Sequence, residues 1–509
     1  TMAIFSANQL RAVDVRPRSR GEGGGANAEL IKQLAAEAAR PAFSRVVLMG
    51  VVRALEFALI FLSGIALYLE HVAPQIGPQP IYYALCFFVA LLTVLIFQTL
   101  QSYTLPTCRR PVKHLFRMFG GWTAIFAGLL ATVFFLKIDN VTSRVWITGW
   151  YTLGIALLTV ERVALARVIW VMARSGRLER RVVVVGGGDL ARELLRDLAK
   201  SDPAEVRLLG VFDDRGDARS PGNVEGFPKL GNVDDLVEFA RATRIDLAIF
   251  ALPISAEQRI LEMLRKLWVL PIDVRLAAHA NRLRLRPRSY SYVGSAPMLD
   301  VFDKPLADWD VVIKLAFDKI VGALALIALS PVLLATAIAI KLDSRGPVLF
   351  KQKRYGFNNE LVEVFKFRSM YADKLDHGAK QLVTRDDPRV TRVGRIIRKT
   401  SIDELPQLFN VVFRSNLSLV GPRPHAIHAK AADRQYDEVV DGYFARHRVK
   451  PGITGWAQVH GWRGETDTQE KIQQRVDHDL HYIENWSLWL DIYILAITPI
   501  SLVKTTNAF

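Results

Sequence analysis

Hydrophobic residues are distributed very unevenly along this chain. Residues 1–45 are polar, and four apolar runs long enough to span a bilayer follow at 46–69, 81–100, 115–136 and 145–160. They predict a four-helix transmembrane bundle over 46–165. The first 45 residues read as a mobile tail too poor in apolar residues for a cleavable signal peptide. Beyond the fourth run the pattern changes. Arg181-Val-Val-Val-Val-Gly-Gly-Gly-Asp-Leu-Ala reads as a buried parallel strand, a glycine turn and a helix over 190–200. Val206–Phe212 and 245–252 read as further strands, so 180–275 is predicted to be a Rossmann-like, doubly wound α/β domain.

A fifth apolar stretch, 320–340, is also long enough to cross. Crossing would leave heavy positive charge on both sides: Lys314 and Lys319 before it, then Lys341, Arg345, Lys351, Lys353 and Arg354 after it. Ser330-Pro331 sits mid-run, where proline removes a helix hydrogen bond and forces a kink. The expectation is a re-entrant membrane helix near 311–340 that dips into the leaflet and returns; a buried soluble helical hairpin is the alternative. The remaining loops set the orientation. The loop at 71–80 has no Lys or Arg, whereas 100–114 carries Arg109, Arg110 and Lys113, and Arg162, Arg167 and Arg174 follow the fourth run. The positive-inside rule places the N-terminus and everything after 165 in the cytoplasm. Arg53 and Glu56, three apart in the first run, read as a structural ion pair facing the bundle.

Composition sharpens this picture. The chain has 509 residues, 50% of them hydrophobic, yet 66 Lys+Arg against 50 Asp+Glu leave a net charge of +16. Disorder as the main character is excluded, and two cysteines exclude a disulfide scaffold. Residues 341–400 hold 15 basic against 7 acidic side chains, so +8 falls immediately after the expected dip. That placement favours anionic headgroups and phosphates. Arg282, Arg284, Arg286 and Arg288 alternate through 276–307, read as a basic linker; no aromatic-rich binding sheet or DNA-binding motif accompanies them, so no nucleic acid partner is expected.

Two places carry candidate chemistry. Gly186-x-Gly188-x-x-Ala191, with Asp213 at the end of the second strand, would let a pyrophosphate approach a helix N-terminus and place an acid on a ribose. The same glycines serve a tight turn in folds that bind nothing. The denser cluster is Lys399-Thr-Ser-Ile-Asp-Glu-Leu-Pro-Gln-Leu-Phe-Asn410. Ser401 and Glu404 have capping-box spacing, but Pro406 fits better with a helix that begins near Asp403 and leaves Asp403 and Glu404 at its mouth. An ionised aspartate beside a helix N-terminus and a basic cluster suits attack on phosphorus, and a neighbouring glutamate suits Mg²⁺. Lys366, Arg368, Arg395, Arg398 and Arg423 supply cations able to clamp a diphosphate.

With these residues on the page, the chain resembles the large membrane-anchored bacterial polyprenyl-phosphate hexose-1-phosphate transferases, which initiate exopolysaccharide and O-antigen assembly. The resemblance covers nearly the whole chain. It is carried by Lys366-Phe-Arg-Ser-Met370, Thr400-Ser-Ile-Asp-Glu-Leu-Pro-Gln407, Val420-Gly-Pro-Arg-Pro-His425, Pro451-Gly-Ile-Thr-Gly-Trp-Ala-Gln458 and Asp479-x-x-Tyr482 before Asn485-Trp-Ser487. It implies a mostly helical catalytic domain over 308–509 in the bacterial inner membrane, facing the cytoplasm. It further implies attack by Asp403 on the β-phosphorus of a UDP-hexose, release of UMP, and transfer of the phosphosugar to polyprenyl phosphate presented at the Ser330-Pro331 dip. Glu404 would be the Mg²⁺ partner beside Asp403, and Asp479 a further essential acid. Lys366, Arg368, Arg398, Arg423, Pro424 and Gln458 would bind phosphates or nucleotide. A homodimer and a membrane-associated C-terminal tail are also implied, while the middle domain is implied to be non-catalytic. His425-Ala426 resembles the glucose-transferring branch. Arg414-Ser-Asn-Leu-Ser418 departs from the family's Gly-acid-Met-Ser, so no acid role carries over there. Two rival readings are a non-catalytic scaffold for polysaccharide export and a membrane-anchored nucleotide-sugar dehydratase. None of the 13 tyrosines has the Lys at +4 that the dehydratase needs.

Overall fold

The computed structural model describes residues 43–504 except 110–111, 138–141, 201–205, 216–221, 279–290, 294–295, 373–386, 425–429, 432–433, 436–441 and 463–467. The expected N-terminal tail, the Arg282–Arg288 alternation and His425-Ala426 lie outside the described residues. The chain divides into two units, Arg40–Glu179 and the part from Arg180 onward.

The first unit holds four long helices: α1 (Arg45–His71), α2 (Pro80–Thr99), α3 (Val112–Phe135) and α4 (Arg144–Arg174). Ser44 and Ser143 cap α1 and α4 by accepting from Val47 N and Trp146 N at 3.2 and 3.3 Å, which satisfies donors the first turn leaves open. Among the described residues, α1, α2 and the Leu115–Phe135 part of α3 are long and apolar enough to cross a membrane. The apolar run of α4, 145–160, is shorter because Arg144 and Glu161 bound it, and it carries the Trp146, Trp150 and Tyr151 rings. The helix packs through those rings. Trp146 and Trp150 indoles donate to the Gly64 and Ile60 carbonyls at 2.9 and 3.2 Å. A Cβ at Gly64 would lie 2.6 Å from the Trp150 ring, so only glycine permits this approach.

The expected Arg53–Glu56 pair does not form. Glu56 is fully buried and pairs with Arg162 of α4 at 2.8 Å, while Arg53 lies over the Tyr103 ring. The pair joins α1 to α4 with both charges buried inside the bundle.

The second unit begins with an eight-stranded sheet. Its elements are β1 (Arg180–Val185), α5 (Asp189–Ala199), β2 (Val206–Phe212), β3 (Asn223–Val224), β4 (Phe227–Gly231), α6 (Val233–Ala242), β5 (Leu247–Phe250), α7 (Glu257–Leu267), β6 (Asp273–Ala277), β7 (Ser291–Val293) and β8 (Ala296–Phe302). The spatial order is β3-β4-β2-β1-β5-β6-β8-β7, with β4 to β6 mutually parallel and the edge strands antiparallel. Val182–Val185 are fully buried, as a central parallel strand covered on both faces requires. The predicted linker 276–307 is corrected here: β7 and β8 extend the sheet through it. Ala296–Phe302 lies between β6 and the edge strand β7, and its first residues alternate between buried and partly exposed, as a strand with one face on the core does.

Helices α8 (Asp308–Ala328) and α9 (Ser330–Asp343) are bent by 59°. The break falls at Leu329, so Pro331 sits in the first turn of α9, where its missing N–H leaves no bond unmade. Lys314 and Lys319 are not the free flanking charges the sequence argument used. Lys314 is buried and reaches Asp491 at 2.6 Å and the Val420 carbonyl at 3.0 Å, and Lys319 donates to the Val412 carbonyl. A hairpin of β9 (Leu349–Tyr355) and β10 (Leu361–Phe367), helix α10 (Arg392–Lys399), a parallel pair β11 (Ser418–Val420) and β12 (Gly452–Thr454), and helices α11 (Gln469–Glu484) and α12 (Leu488–Lys504) complete the unit. One continuous apolar core runs from Val183 and Phe250 in the sheet to Val411, Leu419 and Ile472.

Candidate active site

Alternation along the β9–β10 hairpin builds one wall. Val364 and Lys366 share a face of β10, and Gln352 and Arg354 stand opposite it on β9, where Val364 pairs with Gln352 and Val362 with Arg354. Helix α10 lies against the end of β10. Gly394 permits this contact, since a Cβ there would strike the Ser369 carbonyl. The helix stops at Ser401, whose φ of +58° turns the chain back towards the hairpin.

A single 3₁₀ turn, Ile402–Glu404, then presents the two acids, held by Glu404 N donating to Ser401 O at 3.2 Å. This corrects the expected helix start: Ser401 makes no side-chain cap, and after Pro406 only Gln407–Phe409 is α-helical before a π-helical turn at Asn410–Arg414. A proline at this point has no N–H to continue a helix from the acids.

The two carboxylates are in opposite states. Glu404 takes Lys366 Nζ at 2.9 Å and both Nη atoms of Arg423, at 2.6 and 3.1 Å. Despite burial, these cations hold its pKa well below the usual carboxylate range. Asp403 has no ion pair among the described residues. Burial, reinforced by the adjacent Glu404 charge, pushes its pKa up to about 6, against the pull of Lys366, Arg398 and Arg423. The cleft beside Glu404 is lined by Arg354, Val364, Lys366, Glu404, Gln407, Arg423, Pro424, Gly452 and Ile453. Its lining sets three half-buried cations, Arg354, Lys366 and Arg423, against one carboxylate, Glu404, with Asp403 next to it in sequence, a setting suited to an anionic, phosphorylated substrate.

Residues 309–505 match the family described as bacterial sugar transferase, and residues 98–278 match one described as a CoA-binding domain. The chain is 32% identical over 462 residues to the UDP-glucose:undecaprenyl-phosphate glucose-1-phosphate transferase of Xanthomonas campestris pv. campestris, covering 90% of this chain and 94% of that protein. The chain belongs to the bacterial sugar transferase family. The transferase of the same name from Escherichia coli (strain K12) is 37% identical over 81% of this chain and 87% of its own length. An undecaprenyl-phosphate glucose phosphotransferase of Komagataeibacter xylinus is 42% identical over 71% of this chain, which spans 66% of that relative. Among solved structures, a Rex-family repressor overlaps 40% of the chain at 14% identity and a TM-score of 0.19, too slight a likeness to build on.

Within this sugar transferase, the sequence-predicted residues separate into those at the cleft and those behind it. Lys366, Glu404, Arg423 and Pro424 line it, with Asp403 beside Glu404, and Arg398 acts on Asp403 from the last turn of α10. Arg368 is not at the cleft. It is 1% exposed and donates to the Ser344 and Arg345 carbonyls, tying the end of α9 to the end of β10. Asp479 is also behind the cleft: it pairs with buried Arg446, whose Nη2 in turn donates to the Arg423 carbonyl at 2.8 Å. Gln458 is buried and lies outside the cleft lining, its amide directed at the Ile453 carbonyl at 3.4 Å.

In the sheet, Gly186 has a φ of +111°, and the Asp213 carboxylate accepts from Gly187 N at 2.8 Å and from Arg215. The Arg215 guanidinium stands 3.3 Å from where a Cβ of Gly188 would be. The acid expected to take a ribose is therefore engaged by its own turn. Sequence reasoning missed Arg354, counted only as flanking charge, and Arg446. The alternation Gln352-x-Arg354 facing Val364 was the available signal for the former.

Proposed function

We propose that this enzyme transfers glucose 1-phosphate from UDP-glucose to undecaprenyl phosphate through a covalent phosphosugar on Asp403. The observation that carries the reading is the opposed state of the two acids, one neutralised by two cations and the other free to act on phosphorus. A carboxylate with a pKa near 6 is ionised at neutral pH yet poorly solvated, which suits a nucleophile. In the first half-reaction an Asp403 oxygen bonds to the β-phosphorus, the bond from that phosphorus to the bridging oxygen breaks, and UMP leaves with the electron pair. In the second, an oxygen of the lipid phosphate attacks the same phosphorus and the carboxylate departs. Lys366 and Arg423 meet the charge on the transferred phosphoryl group from either side of Glu404.

Glu404, with Asp403 beside it, is the carboxylate that would hold Mg²⁺. No group of three or more His, Cys, Asp or Glu suited to a metal exists among the described residues, so diphosphate oxygens would complete its shell. When bound, the ion would neutralise the charge of the donor diphosphate.

The bent pair α8–α9 is read as re-entrant, entering and leaving the cytoplasmic leaflet with the cleft on the cytoplasmic side of the inner membrane. Exposed Ile320, Leu324, Ile327, Leu334 and Ile338 would face acyl chains. On α12, Trp489 and Tyr493 are exposed, as interfacial anchors are. The test is UMP release by the detergent-purified full chain across a panel of UDP-hexoses, with and without polyprenyl phosphate. Release with UDP-glucose, lost in Asp403→Asn, is expected; wild-type turnover by Asp403→Asn would overturn the covalent route.

A further inference from the structure

Three cations line the cleft, and two of them are committed to Glu404. The third, Arg354, reaches neutral acceptors only. Its Nε and Nη2 donate to Gln352 Oε1 at 3.1 and 2.8 Å, and its Nη1 donates to the Pro424 carbonyl. Among the described residues no carboxylate lies within ion-pair distance of it. A guanidinium carries five N–H groups, so two remain after these three bonds.

Burial lowers its pKa to about 10, and it stays protonated at neutral pH. A full positive charge therefore stands half-buried in the cleft wall with no ion-pair partner among the described residues, an arrangement that an arriving anion makes more favourable. The charges acting on Arg354 most strongly are Arg423 and Glu404, with Asp403 weaker. Arg354 lines the cleft together with Lys366, Glu404 and Arg423, whereas Asp403 is not part of that lining.

Resting on the phosphotransfer reading above, we propose that Arg354 receives the nucleotide-side phosphate of the donor and holds UMP as it leaves. The geometry follows from the reaction. If the β-phosphorus sits at Asp403, the α-phosphate lies one bridging oxygen farther along the cleft. When the bridging bond breaks, its electron pair stays on that oxygen, and the α-phosphate becomes a phosphomonoester with one more negative charge. A cation without a carboxylate partner meets that new charge at no cost to an existing ion pair. The planar fork also offers its two spare N–H groups together, which a lysine cannot.

Because Arg354 also bonds the Pro424 carbonyl, a bracing role must be told apart from a phosphate-binding one. Inhibition by UMP and by uridine does this, since only UMP carries the phosphate. In Arg354→Gln, UMP inhibition is expected to weaken about tenfold or more while uridine inhibition stays near wild type. UMP release from UDP-glucose should fall about a hundredfold. Equal weakening of UMP and uridine would assign Arg354 to bracing alone and overturn the proposal, as would unchanged UMP inhibition. If Arg354→Gln does not fold, judged by its melting curve in detergent, Arg354→Lys carries the same comparison with charge retained. It is expected to lose UMP affinity in preference to uridine, and equal losses would again overturn the proposal. Failure of the underlying reading is a separate result: wild-type protein that releases no UMP from any UDP-hexose. The UMP and uridine binding comparison, run by calorimetry, still decides the role of Arg354 in that case.

Discussion

Arg446 joins Asp479 to Arg423: its guanidinium pairs with the buried Asp479 carboxylate and also donates to the Arg423 main-chain carbonyl at 2.8 Å. Burial raises the pKa of Asp479, and the Arg446 charge opposes that shift. Asp479 is therefore a positioning residue, acting through Arg446 on the segment that presents Arg423 to the cleft. Asp479→Asn is expected to lower the melting temperature and to raise KM for UDP-glucose. Breaking a buried pair of this kind costs about 3–5 kcal/mol. The double variant Asp479→Leu/Arg446→Met should recover much of the stability but not the KM. Recovery of both would assign the pair a purely structural role.

The pH profile should report Asp403. Its carboxyl is pushed up to about 6 and must be ionised to attack, so kcat/KM for UMP release is expected to fall as pH drops through about 6. The neighbouring Glu404 charge contributes to that upward shift. Glu404→Gln removes it and frees Lys366 and Arg423 to act on Asp403, so the acid limb should move to lower pH even as turnover falls. An unmoved or higher inflection would dissociate the limb from this pair.

Arg368 offers a contrast within one motif. Its bonds to the Ser344 and Arg345 carbonyls make it a clamp, so Arg368→Met is expected to cost about 3 kcal/mol of stability through buried carbonyls left unmet. UMP inhibition should be unchanged in the folded fraction. A loss of UMP affinity at unchanged melting temperature would return Arg368 to the phosphate site.

The orientation is testable with single cysteines placed in a background lacking Cys86 and Cys108. Lys353 and Arg395 are exposed in the catalytic part, and Gln75 is exposed between α1 and α2. A membrane-impermeant maleimide should label Lys353→Cys and Arg395→Cys only in inverted vesicles, and Gln75→Cys only in intact spheroplasts. Labelling of Lys353→Cys and Arg395→Cys from outside would mean that the bent pair crosses.

What the sequence disclosed follows from the range of the forces involved. Apolar runs and the strand–glycine–helix pattern are local signals, and both the long helices and β1 lie where periodicity puts them. The acids were legible because their chemistry is dense in one stretch, and Lys366 because it sits in a motif of its own, Lys366-Phe-Arg-Ser-Met370. The partner of Glu56 was not, since Arg162 lies 106 positions away and only packing of α1 on α4 brings it near. Arg368 and Lys366 look alike in sequence, two apart at the end of β10, with Arg368 just past the strand. They differ only in what faces each: carbonyls at the end of α9 for one, Glu404 for the other. Lys314 misled in the same way, because a lysine before an apolar run reads as a flank until Asp491, 177 positions later, is seen beside it.

The end of α9 is fastened at two points. Arg368 grips the carbonyls just past it, and the Asp343 carboxylate accepts from Val393 N in the first turn of α10, at 3.1 Å. One fastening leads along β10 to Lys366, the other along α10 to Arg398. With the bent pair seated in the leaflet as proposed, the bilayer becomes a datum plane: the height of the cleft above the headgroups is fixed by chain geometry. A lipid phosphate diffusing in two dimensions then meets the phosphosugar at one depth, and the search for the second substrate loses a dimension before any contact is made.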